Sequence, residues 1–199
     1  GDIVSIEPAT KSVSQNSAPT NLRPAAAQAL ACPDNIGFEY GNFTNWSNYI
    51  GDVVANGTTN VITVNPSAPT PNRHVIYAAT NPSALDPYGL FPINPPDGSG
   101  FALKLGNDVN GAEAESVRYT INVPANAVDF SITYRYAGVF QDPGHERYEQ
   151  PRFSAKILDV AENKYLNCAS WVFISDDTIP GFYSSPIDND IKCKAWTPV

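Results

Sequence analysis

The stretch from Val117 to Tyr136 changes sides at almost every residue. Val117, Tyr119, Ile121 and Val123 share one face against Arg118, Thr120 and Asn122, and Val128, Phe130, Ile132, Tyr134 and Tyr136 share one against Asp129, Ser131, Thr133 and Arg135. A period of two held this long belongs to strands with one buried side, not to a helix, whose apolar positions recur at three and four. Pro124-Ala125-Asn126 joins the two runs with turn chemistry, so they are predicted to form an antiparallel hairpin. Phe101–Leu105 alternates in the same way. Further strands are expected at Arg152–Leu158, Trp171–Ile174, Asn60–Val64 and Arg73–Ala78. No long window carries a helical stripe, and 18 Pro and 13 Gly are spread between the short apolar runs without an internal repeat. That pattern predicts an all-β sandwich.

Residues 1–31 have a different texture. They are rich in Ser, Ala, Pro, Thr, Asn and Gln and show no sustained period, which predicts an extended polar linker or arm ahead of a sandwich at 32–199. The chain contains no Met, so it is read as processed, with a secretory signal already removed. Ala29-Leu30-Ala31-Cys32 looks like a lipoprotein cleavage box, but Pro19 and Pro24 stand where its apolar run should be.

Charge narrows the function classes. Only 16% of the residues are charged, and 12 Lys and Arg against 20 Asp and Glu leave a net charge of −8. That is the wrong sign for phosphates or anionic lipid, so nucleic acid is excluded as a partner, and no apolar run is long enough to insert in a membrane. Low charge and export point to an oxidising compartment. There, three cysteines leave one over: Cys168 with Cys193 is the first pairing, Cys32 with either is the rival, and the odd thiol pairs outside the sequence. Zinc is not supported, because no two cysteines lie at ligand spacing and only two His are present.

Catalytic patterns are weak. His145, Glu146 and Glu149 hint at a zinc peptidase, yet the second His and the helix are missing. Asp142, Glu146 and Glu149 could supply a glycosidase's carboxylate pair, but the segment Gln141–Gln150 reads better as a loop held by charged hydrogen bonds, with Arg152 reaching a carboxylate. Gly98-Ser99-Gly100 lacks the third glycine of a dinucleotide loop. The chain is therefore expected not to be an enzyme. Tyr49, Tyr88, Phe91 and Tyr183 fall in loop-like stretches and are candidate platforms for sugar rings, whereas aromatics at period two belong to the core. Asp108, Asn110, Glu113 and Glu115 form an oxygen-rich cluster suited to calcium, although Asn-Asp and Asn-Gly are also turn formers.

Phe38-Glu39-Tyr40-Gly41-Asn42-Phe43-Thr44-Asn45-Trp46 resembles the opening strand of jelly rolls of the carbohydrate-binding-module type. Leu105-Gly106-Asn107-Asp108 with Gly111–Glu115, then Phe140–His145, then Glu149–Phe153 running into Leu158-Asp159, resemble in that order a module of large cell-surface proteins of Bacteroidota. These are the gliding-motility and adhesin-type substrates of the type IX secretion system. The resemblance covers Cys32 to Val199. It implies an antiparallel jelly roll lacking its last strands, in a longer polypeptide whose further strands carry a cysteine for Cys32. It also implies secretion to the bacterial cell surface and attachment, without catalysis, to a surface glycan or an envelope or secretion-system protein. In similar jelly rolls the Glu of the first strand, here Glu39, helps to hold a structural calcium. Asp177-Thr178-Ile179 matches the O-glycosylation signal of such exported proteins, with Thr178 the acceptor. The alternatives are a carbohydrate-binding module of a secreted polysaccharide-degrading enzyme, and a structural spacer or assembly module.

Overall fold

A computed structural model of the chain describes residues 2–6, 32–81, 83–96, 98–109, 111–125, 131–175 and 180–199, with the backbone alone for residues 2–6 and 169. The fold is all-β, and every strand pair is antiparallel. Thirteen strands are present among the described residues: β1 (Asp2–Ile6), β2 (Trp46–Asn56), β3 (Thr59–Ser67), β4 (His74–Ala78), β5 (Phe101–Leu105), β6 (Glu113–Tyr119), β7 (Tyr134–Gln141), β8 (Arg152–Ala155), β9 (Leu158–Asp159), β10 (Lys164–Tyr165), β11 (Trp171–Ile174), β12 (Tyr183–Ser184) and β13 (Ile191–Pro198). The only helical element among them is a single 3₁₀ turn at Asn167–Ala169.

The large sheet has the order β12-β13-β7-β1-β5-β4, and a second sheet has the order β3-β2-β6. β8 pairs with β11 and β9 with β10 in two-stranded ribbons. Alternation sorts the large sheet into two faces. Leu103 and Leu105 of β5 and Tyr136 and Phe140 of β7 point into the main core, where they meet Trp46 of β2 and Phe153 of β8. Val117 and Tyr119 of β6 pack against the same cluster. The fold is therefore sandwich-like, with the large sheet in one layer and the β3-β2-β6 sheet and the β8/β11 ribbon opposite. Aromatic rings fill the gap: Tyr136 stacks on Phe153 and Phe173 with centroids 5.3 and 4.9 Å away.

The expected hairpin between Val117–Val123 and Val128–Tyr136 does not form. β6 ends at Tyr119 and pairs with β2, while β7 begins at Tyr134 and pairs with β13 and β1, so the chain crosses between layers. Val117, Tyr119, Tyr134 and Tyr136 still face the core, whereas Val123 is exposed, and Val128 and Phe130 lie outside the described residues. Alternation fixes which side a residue faces but not which strand lies beside it.

The expected opening strand at Phe38–Trp46 is a knot of turns, with Asn35, Phe38 and Asn45 at φ 61, 62 and 70, and the strand starts at Trp46. Asn35 organises this knot. Its buried side-chain amide donates to the carbonyls of Asn42 (3.0 Å) and Thr44 (2.7 Å), and its Oδ1 accepts from the Tyr40 N–H (2.8 Å). The Trp46 indole donates to the Asn35 carbonyl at 2.8 Å. Within the segment read as a polar arm, Asp2–Ile6 is a strand of the large sheet; residues 7–31 lie outside the described residues.

Candidate functional site

The opposite face of the large sheet carries Ala102 of β5, Ala137 and Val139 of β7, and Ile191 and Cys193 of β13. Phe91 is buried there against Ala102 and Ala137. It arrives on a tight loop closed by a bridge between Leu85 and Pro92. The buried Asp86 shapes the loop from within, its Oδ1 accepting from the N–H groups of Tyr88 (2.9 Å) and Gly89 (2.7 Å). Three side chains clamp the loop's carbonyls: the Tyr183 hydroxyl donates to Gly89 (2.6 Å), the Ser185 hydroxyl to Tyr88 (2.6 Å) and the Trp196 indole to Pro92 (2.7 Å). A Cβ on Gly89 would collide with the Phe91 ring, so the close approach requires glycine.

Beside this loop lies a cleft of about 300 Å³. Its floor is the sheet itself: Tyr77 of β4, Lys104 of β5, Val139 and Gln141 of β7 and Ile191 of β13, with β1 running between β5 and β7. Its walls are Asp86, Pro87 and Tyr88 on one side, Asn107, Asp108 and Val109 on another, and Asp188 at the rim. Asn107 is pinned, its amide donating to Glu113 (2.8 Å) and its Oδ1 accepting from Val109 (2.8 Å). The described lining thus joins two half-buried tyrosines to amides, three carboxylates and one ammonium. Such a surface offers apolar ring faces beside several hydrogen-bonding groups, with an excess of negative charge.

Two residues singled out separately in the sequence, Tyr88 and Asp108, meet in this cleft. The other candidates do not. Phe91, expected as a platform, is 4% exposed and belongs to the core beneath the loop, because its loop turns it inward. Tyr183 anchors the loop through its hydroxyl, which burial pushes up from its ordinary pKa, the nearby Cys193 and Asp86 adding to the effect. Tyr49 sits in β2, with the Arg118 guanidinium 5.2 Å from its ring centroid. Thr178 and Asn110 lie outside the described residues.

The calcium candidates lie in different places. Glu39 is exposed in the turn knot, and its Oε1 accepts from the Gly37 N–H (3.0 Å). Glu113 already faces a cation, its Oε1 lying 3.7 Å from the Arg73 guanidinium, while Glu115 accepts from the Arg73 Nε. No group of three or more His, Cys, Asp or Glu converges on one point among the described residues.

No disulfide forms. Cys193 is fully buried in β13, where burial and then Asp86 push its thiol up to about 11, whereas Cys168 is exposed in the 3₁₀ turn. One thiol lies in the core and the other at the surface, so the expected Cys168–Cys193 pairing is corrected. Cys32 is exposed and forms no disulfide either. The Gln141–Gln150 segment departs in one detail: Arg152 donates to the Tyr148 carbonyl (3.0 Å), not to a carboxylate.

Tyr77, Asp86, Lys104, Gln141 and Asp188 went unnoticed in the sequence. Three strands and two loops bring them together, and no local spacing marks them. No family model, curated protein or solved structure matches the chain.

Proposed function

We propose that this chain is a non-catalytic extracellular attachment module, a jelly-roll-type sandwich of a large bacterial surface adhesin, and that it holds a neutral glycan in the cleft beside Tyr88. The observation carrying this reading is the convergence of Tyr77 and Tyr88 with Asn107, Asp108 and Gln141 in one cleft of about 300 Å³. Tyrosine rings take the apolar faces of pyranoses, while amides and carboxylates satisfy hydroxyl groups from the side. The volume is at the lower end of the range of small-ligand sites, which suits one or two sugar rings. Asp86, Asp108 and Asp188 against Lys104 disfavour uronic or sialic acids and favour neutral or amino sugars.

Export to the cell surface, membership of a longer polypeptide and glycosylation at Thr178 belong to this reading and rest on the sequence resemblance. The same cleft would also serve a binding module of a polysaccharide-degrading enzyme. Titration calorimetry of the chain against a panel of neutral oligosaccharides tests the proposal. Tyr88→Ala should weaken binding by about tenfold or more, as expected when a packed aromatic contact is lost. Unchanged affinity in both Tyr88→Ala and Gln141→Ala would remove glycan binding from this cleft.

A further inference from the structure

β1 is a central strand of the large sheet, set far in sequence from the rest of the described chain. It has only the residues Asp2–Ile6, and the whole stretch 7–31 separates it from Cys32. It lies between β5 and β7, with Val4 opposite Leu103 on one side and Tyr136 on the other. Both pairings are antiparallel, so β5 and β7 run parallel to each other. Without β1 they would face each other across two strand spacings, a slot of roughly 9–10 Å. Closing it would require one half of the sheet to slide across and adopt a different, slanted parallel ladder.

The borders of the slot are built for a strand. Ala102 and Leu103 of β5 and Tyr136, Ala137 and Gly138 of β7 are all buried, so the edges are apolar towards both faces of the sheet. A short, largely uncharged strand fits, and Asp-Ile-Val-Ser-Ile is one. Every copy of the chain carries that strand 25 residues ahead of Cys32, and 25 residues span at most on the order of 80 Å. The backbone ladder is identical whether the strand comes from the same copy or from another. In general, the longer the connection that must be closed, the lower the effective concentration of a copy's own strand, which brings the two routes into competition.

We propose that the slot between β5 and β7 is a strand-acceptor groove and that β1 of one copy fills the groove of a second, linking copies by strand exchange. The proposal does not rest on glycan binding: β1 runs through the floor of that cleft whichever copy supplies it, and the disulfide readout needs no ligand.

Cross-linking at register partners tests it. Ser5 pairs with Arg135, and Cα atoms across an antiparallel pair lie within disulfide reach. All chains carry Cys32→Ser and Cys168→Ser. A chain with both Ser5→Cys and Arg135→Cys reports strand insertion within one copy. A donor with Ser5→Cys is then mixed with an acceptor carrying Arg135→Cys and Val4→Pro, whose own strand is disabled because proline breaks a central ladder. Should that acceptor not fold, the donor is refolded from urea together with an acceptor in which Val4 is unchanged. The proposal expects a mixed disulfide dimer, mapped to the two introduced thiols, that rises with donor concentration and falls many-fold when the donor carries Val4→Pro. Closure within the doubly substituted chain but no mixed dimer would overturn exchange. No closure in that chain would overturn the groove itself.

Discussion

His74 is buried where the edge strand β4 meets β6, and its contacts call for a neutral ring. Its Nδ1 accepts from the Thr70 N–H at 3.3 Å, which leaves the proton on Nε2, 3.4 Å from the Ser116 carbonyl. The Phe43 ring packs edge-on at 6.1 Å. Burial lowers the imidazole below its ordinary 6.5, opposed by the Ser116 and Tyr49 backbone and the Glu115 charge and assisted by Arg73. An unfolded chain therefore takes up the proton before the folded one does. Stability from this group is complete above the unfolded value and is lost as the pH falls from there through the folded value. Melting temperatures measured at about pH 7.5 and about pH 5.5 bracket the unfolded value. The wild type should lose more across that interval than His74→Gln, and equal losses would show that the ring does not titrate with folding.

Some strands were legible in the sequence to the residue, because their apolar positions carry the whole signal. Phe101–Leu105 and Trp171–Ile174 form β5 and β11 at the expected bounds. β2 went unread because Asn48, Gly51 and Asp52 interrupt its alternation. One signal was there to use: Asn56-Gly57 between two apolar runs is a hairpin turn, and Gly57 takes φ 63 as such turns require. The loop cleft had no such signal, since its residues come from separate strands and are brought together only by pairing. Gly51 shows how tightly one position can hold an element. A Cβ there would collide with the Thr63 carbonyl of the neighbouring strand, and its own carbonyl accepts from Arg73 at 2.9 Å. Gly51→Ala should cost about 1–3 kcal/mol in urea unfolding, the range for forced overpacking. A variant as stable as wild type would mean that β3 can move away without loss.

The two layers of the sandwich meet through aromatic packing at the centre and through one guanidinium at the side. Arg73 stands just before β4 of the large sheet and reaches the other layer, donating to Glu115 and to the carbonyls of Gly51 (2.9 Å) and Ala114 (3.1 Å). Its side chain is 15% exposed and that of Glu115 9%, so neither charge is well solvated if left alone. Removing one partner of such a pair costs far more than replacing both, because the stranded charge keeps its desolvation penalty. Arg73→Met should therefore destabilise the whole fold by about 3–5 kcal/mol, while Arg73→Met with Glu115→Leu should recover part of that loss. Arg73→Lys keeps the charge but not the fork that spans three acceptors, and it should fall between wild type and Arg73→Met. Equilibrium unfolding of the single and double variants closes a cycle. A coupling above about 0.5 kcal/mol marks the pair as a tie between the layers. Additive losses would leave the aromatic core as the element that makes the layers unfold together.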